Sequence, residues 1–137
     1  MADCNAVSTP MEVGLKLCKR IDSVSPQETQ EYQKLIGCLE YAALATRPDI
    51  TFAVHRLAQF ASNPDATHSS AAKRVLRYLK GSVNFGLIFK GSRNDRFNLR
   101  GYSDADWAGN TTDRKSIGGY CFYLNNSLIS HMSKKQK

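Results

Sequence analysis

The sequence predicts an α+β fold, a three-helix module followed by an antiparallel meander. Apolar residues recur at three-and-four spacing up to about residue 80 and at a period near two from residue 84 onward, the change expected between helix and strand. Prolines and polar breakers separate the helical stretches. Asn125-Asn126 separates the last two strand-like runs with residues that tolerate the positive φ of a tight turn. These signals divide the chain into an irregular segment over 1–26, a helical module over 27–83 and a β-meander over 84–137.

Pro10, Gly14 and Pro26 punctuate the first segment, where Leu15-Lys16-Leu17 is too short to form an element. In the first helix Tyr32, Leu35, Ile36, Leu39 and Ala43 share a face, and Ser25-Pro26 with Glu28 supplies the start. It is expected to end near Thr46, because the residue before Pro48 is pushed out of helical geometry. Pro48 suits the first turn of a second helix. The stripe of that helix is Ile50, Ala53, Val54, Leu57, Phe60 and Ala61, and Asn63-Pro64-Asp65 breaks it. The third helix is expected from Thr67, as its cap, to Lys80, with Gly81 as its stop. There Ala72, Val75, Leu76 and Leu79 face inward, while Lys73, Arg77 and Lys80 line the solvent side with Arg74 beside them. Strands are expected at 85–89, 99–103, 119–124 and 127–130.

The 42% apolar share of 137 residues is enough for a modest core. Nineteen Lys and Arg against twelve Asp and Glu give a formal charge of +7, which favours a polyanion as partner, nucleic acid ahead of membrane, or else serves solubility alone. Cys4, Cys18, Cys38 and Cys121 stand no closer than fourteen positions apart, so no paired-cysteine zinc motif arises, and His55, His68 and His131 are equally scattered. Free thiols are expected in a reducing compartment; pairing stays open in an oxidising one. The polar, acid-bearing first ten residues do not read as a signal peptide, and no run approaches the ~18 apolar residues of a membrane span.

Several strings stand in one order along the chain: Ala6-Val-Ser-Thr-Pro10, Tyr32-Gln-Lys-Leu-Ile-Gly37, Thr46-Arg-Pro-Asp-Ile50 and Ala71-Ala-Lys-Arg-Val-Leu-Arg-Tyr-Leu-Lys-Gly81. Gly101-Tyr-Ser-Asp-Ala-Asp-Trp-Ala-Gly109, Asp113-Arg-Lys-Ser116 and Ser133-Lys-Lys-Gln136 follow. Together they resemble the junction of reverse transcriptase and RNase H in copia-type retrotransposon Pol polyproteins, over nearly the whole chain. By that resemblance the helices correspond to the segment beyond the polymerase palm, where thumb and connection lie. The strands from about Leu99 correspond to the first three of an RNase H-like sheet, a partial one. The polymerase's own Asp-Asp metal motif lies upstream in the family.

RNase H chemistry uses two divalent metals, magnesium in an intact site, held by several carboxylates. Gly101-Tyr-Ser-Asp104 matches the family's first such position, so the resemblance assigns Asp104, with Asp106 a weaker neighbour two residues on along the same strand face. The family's remaining carboxylates fall after Ser133-Lys-Lys-Gln136. The expectation is therefore that Asp104 is a relic, that no metal or other cofactor is held, and that the chain is not an enzyme. Asn110 stands where the family usually has an acid. The sheet edge near 127–130 and the region of Trp107 and Phe122 are expected to stay exposed.

Lys73, Arg77 and Lys80 recur at spacings of four and three, so they share a helix face. Such a face can follow the phosphates of an RNA–DNA duplex in a salt-dependent, sequence-independent way, and is equally the pattern of an ordinary solvated surface. Tyr78 offers either a stacking ring or a core edge. The same helix carries Arg74-Val75-Leu76-Arg77, which is similar to the translocation string of secreted RxLR effectors of plant-pathogenic oomycetes. Copia-derived open frames with this helix resemble proteins of that effector class. The leading expectation is a non-enzymatic, secreted RxLR-type effector, a virulence factor. It would bind a host protein in host nucleus or cytoplasm and suppress plant defence or cell death. The alternatives are a cytoplasmic nucleic-acid-binding fragment of the polyprotein, and a translated relic without function. No membrane partner is expected.

Overall fold

A computed structural model describes residues 3–22, 24–91, 97–106 and 115–136, and the chain divides into two compact units, Met1–Phe85 and Gly86–Lys137. The first unit opens irregularly, with Gly14 at a positive φ of 75°. Helix α1 (Pro26–Ala45) starts where Ser25 Oγ accepts the Glu28 amide at 3.2 Å and donates to the Glu28 carboxylate at 3.1 Å. The first bond satisfies an amide that a bare helix end would leave open. At the far end the amides of Thr46 and Arg47 both reach the Ala42 carbonyl, at 3.1 and 3.0 Å, as the coming proline requires.

A single 3-10 turn, Pro48–Ile50, leads into helix α2 (Thr51–Ala58). The apolar stripe predicts a helix reaching Ala61, but the amides of Phe60 and Ala61 bond only three residues back, to Leu57 and Ala58 at 3.0 and 3.1 Å. The chain leaves the helix there because Pro64 biases Asn63 toward extended backbone. The Asn63 amide group then donates to the carbonyls of Arg20 and Asp22 at 3.3 and 3.0 Å. Phe60 still reaches the core from this turn.

Helix α3 (Ala66–Gly81) is capped by Asp65 and not by Thr67. The Asp65 carboxylate accepts the His68 amide at 2.9 Å while His68 Nδ1 accepts the Asp65 amide at 3.0 Å. A carboxylate at the positive end of the helix dipole outcompetes a hydroxyl two residues later. Gly81 is not the stop either: it keeps helical backbone, and Ser82 is the C-cap.

The rows Tyr32, Ile36, Leu39 and Ala43 of α1, Ala53, Val54 and Leu57 of α2, and Ala71, Ala72, Val75 and Tyr78 of α3 close around Ile50. Leu17, from a stretch too short for an element, inserts into the same core. Leu35, Leu76 and Leu79 pack on its rim.

In the second unit β1 (Leu99–Ala105), β2 (Ile117–Leu124) and β3 (Ser127–Lys135) form an antiparallel sheet in the order β1-β2-β3. The α+β expectation of three helices and an antiparallel meander thus holds. Asn125 and Asn126 take φ of 47° and 66°, the two consecutive positive values of a tight hairpin turn. A bulge follows Phe122. The run 85–89 forms no strand: Phe85, Ile88 and Phe89 stand exposed, and Lys90 offers one amide to Ser127 Oγ at 3.2 Å in place of a ladder. An apolar run alone does not make a strand without an edge to pair with. Among the described apolar residues of this unit only Ile117 is fully buried, and Phe122 is 40% exposed; Trp107 and Asn110 lie outside the described residues. No helix of the described residues is long and apolar enough to cross a membrane.

Candidate nucleic-acid interface

With His68, Ala71, Ala72, Val75 and Tyr78 fixed in the core, the register of α3 decides where its cations emerge. Lys73 and Lys80 are exposed, while Arg74 and Arg77 are half-buried. Lys73 and Lys80 of the expected row thus face solvent, while Arg74, Arg77 and Lys80 each hydrogen-bond to a strap formed by residues 4–12. Arg74 pairs with Glu12 at 3.0 Å and donates to Thr9 Oγ1 at 3.0 Å. Arg77 donates to the Asn5 carbonyl at 2.7 Å, and Lys80 to the Cys4 carbonyl at 2.8 Å. This irregular strap supplies oxygens that long cationic side chains can reach. Gly81 makes room for it, since a Cβ there would stand 3.0 Å from Ala6 Cβ. In the string Arg74-Val75-Leu76-Arg77 each residue therefore has a structural task. The arginines hold the strap, Val75 is fully buried, and Leu76 packs on the core rim.

Tyr78 is not free for stacking. Its hydroxyl donates to Asp49 Oδ2 at 2.8 Å, and Arg47 lies over its ring at 5.6 Å from the centroid. Arg47 grips Asp49 through two bonds, Nε to Oδ1 at 3.0 Å and an Nη to Oδ2 at 2.7 Å. Its remaining donors go to Ser82, at 3.1 Å to the carbonyl and 2.6 Å to the hydroxyl. The Asp49 hydrogen bond holds the guanidinium above its usual value. Burial alone would raise the Asp49 carboxyl, but the bonds from Arg47 and Tyr78 together outweigh it and keep that group below the ordinary range. This cluster, which no reading of residue types singles out as a unit, ties the α1–α2 junction to the end of α3. The Arg-Pro-Asp string between two helices is its only trace in the sequence.

On the sheet, Asp104 pairs with Gly119, which pairs in turn with Ser133, so these three stand abreast. Tyr102, Cys121 and His131 form the next row on the same face. A concavity of about 660 Å³ is lined by Ser103, Asp104, Gly119, Tyr120, Met132 and Lys134 among others. Asp104 Oδ1 accepts the Ala105 amide at 2.8 Å. Asp106, just past the strand, accepts the Ile117 amide and donates its own amide to the Ile117 carbonyl at 3.1 Å, which fastens the β1–β2 ends. Among the described residues no three His, Cys, Asp or Glu side chains gather to hold a metal ion. Two carboxylates so engaged do not supply the donor set of a metal pair, and no metal-dependent step is assigned to them. All four cysteines are free thiols.

Over all 137 residues the chain is 44% identical to the retrovirus-related Pol polyprotein from transposon RE2 of Arabidopsis thaliana, of which it spans 9%. It is 41% identical to the corresponding polyprotein from transposon TNT 1-94 of Nicotiana tabacum, again along its full length and over 10% of that relative. It is also 48% identical to Secreted RxLR effector protein 161 of Plasmopara viticola over 106 residues, 77% of this chain and 73% of that protein. No family model and no solved structure matches it. The chain belongs to the copia-type Pol family of retrotransposons, and it spans about a tenth of the length of the polyproteins it matches.

Proposed function

We propose that the chain binds nucleic acid through the cation-bearing surface of α3 and performs no chemistry of its own. The observation that carries this reading is the row Lys73, Arg74, Arg77 and Lys80, projected from a helix whose other face is fixed in the core. The formal charge of +7 points the same way. So does membership of a Pol family, in which these helices correspond by resemblance to the segment beyond the palm, close to primer–template. On this reading the meander represents the opening strands of an RNase H-like sheet, and Asp104 and Asp106 serve as polar ends of β1. The test is titration of the full chain with a labelled RNA–DNA hybrid at rising salt. Affinity is expected to fall steeply with salt, and Lys73→Glu to reduce both the affinity and, by about one, the slope against log salt. Binding that ignores salt, or that is unchanged in Lys73→Glu, contradicts the reading.

A second reading is favoured by the 48% identity to Secreted RxLR effector protein 161. On it the chain is a secreted effector that binds a host protein in nucleus or cytoplasm and dampens plant cell death. The engagement of Arg74 and Arg77 with the strap weighs against their acting as an exposed linear signal while the unit is folded. Expression in plant cells challenged with several elicitors separates the two readings: suppression of cell death that survives Lys73→Glu favours the effector, and no suppression removes it.

A further inference from the structure

We infer that residues 4–12 are a displaceable plug of the α3 interface, which a duplex moves aside to reach Arg74, Arg77 and Lys80. The inference rests on the nucleic-acid reading of α3. The strap runs antiparallel to the helix, so that Cys4 and Asn5 meet Lys80 and Arg77 while Thr9 and Glu12 meet Arg74. Successive cations of this row are three residues apart, about 4.5 Å of helix rise, and each takes an oxygen acceptor from the one strap. A phosphate strand likewise offers a row of oxygen acceptors along one chain.

Phosphate is also the stronger acceptor. Two of the strap's oxygens are backbone carbonyls and one is a hydroxyl; only Glu12 brings a charge. Hydrogen bonds between an ionised donor and an ionised oxygen are stronger and shorter than those to neutral oxygens, so a polyanion competes well for this row. The strap itself is lightly held. No residue from 4 to 12 is fully buried, none lies in a helix or strand, and Val7 and Met11 only rest on the rim of the core. Segments with few buried contacts are those that open at low cost. With the strap in place, Arg74 Nε is buried without a protein acceptor, a donor that opening would release. Gly81 completes the seat: it weakens the last turn of α3, takes no positive φ, and its missing side chain is what lets Ala6 approach.

The experiment uses the full chain and two charge-neutral wedges, Gly81→Leu in the seat and Ala6→Phe in the strap. Amide exchange of residues 4–12 reports whether the strap has lifted, and anisotropy with an RNA–DNA hybrid reports affinity. Both variants are expected to exchange faster over 4–12 and to bind the hybrid about tenfold more tightly, as removal of a closed state that holds most of the population predicts. Faster exchange with unchanged affinity overturns the plug but leaves the α3 reading standing, provided that Lys73→Glu still weakens the wild type. Unchanged exchange in both variants overturns the plug as well. If neither wild type nor variants bind the hybrid, the α3 reading fails and the plug falls with it.

Discussion

Arg47 and His68 show how much of this fold hangs on single polar side chains inside a helical core. Arg47 is 8% exposed and spends its donors on Asp49 and Ser82. Asp49→Ala leaves that guanidinium without its counter-charge and is expected to cost about 2–3 kcal/mol, against about 1 kcal/mol for Tyr78→Phe, which removes one neutral donor. Urea denaturation followed by the helical circular dichroism signal measures both. His68 is fully buried, stacked on Phe60 with ring centroids 4.0 Å apart, and caps α3 through Nδ1. Burial pushes its imidazole below the usual value, and the neighbouring Asp65 carboxylate only partly opposes this. The folded unit thus binds fewer protons than the unfolded chain. Stability is complete above the unfolded histidine value of about 6.5 and is lost as pH falls below it towards the folded value. The helical unit should therefore unfold at lower urea at pH 5 than at pH 7.5. His68→Gln, which can still cap but does not titrate, should remove most of that difference, and a difference that persists would sink this account of the histidine.

Among the elements, α1 and the hairpin were legible in the sequence because their signals are local. Ser25, Pro26 and Glu28 act within one turn, and Asn125-Asn126 sets its own φ values. The turn makes a direct prediction. Val in place of Asn126 must hold a β-branched side chain at φ 66°, and is expected to destabilise the hairpin by about 1–2 kcal/mol, while Asn126→Gly is neutral or stabilising. The elements that sequence reading misplaced are those decided from a distance. The stretch 85–89 is apolar enough for a strand but finds no ladder. Gly81 looks like a helix stop but is shaped by Ala6, 75 positions away in sequence. The cations of α3 were legible as one face; that the strap engages Arg77 and Lys80 was not, because Cys4 and Asn5 contribute backbone carbonyls, which every residue carries.

At the scale of the whole molecule the two units differ in how much they bury. The helical unit closes a continuous core, whereas the described part of the sheet unit fully buries one apolar side chain, Ile117. Three strands whose described residues bury so little are marginal by themselves. Amide exchange should therefore show the strongest protection in α1, α2 and α3 and much weaker protection along β1 and β3. Equal protection in both units would contradict the burial pattern. The order of the seven strings along the chain carried the family, and the comparisons agree with it. The site was legible only in part, since composition gives the sign of the charge but not which cations already have partners. The central claim is that α3 is the surface that meets nucleic acid, and an exchange footprint of the complex tests it most directly. On adding an RNA–DNA hybrid to the full chain, residues 73–80 should gain protection while residues 4–12 lose it. A footprint on the β-strands with α3 unchanged would contradict the account.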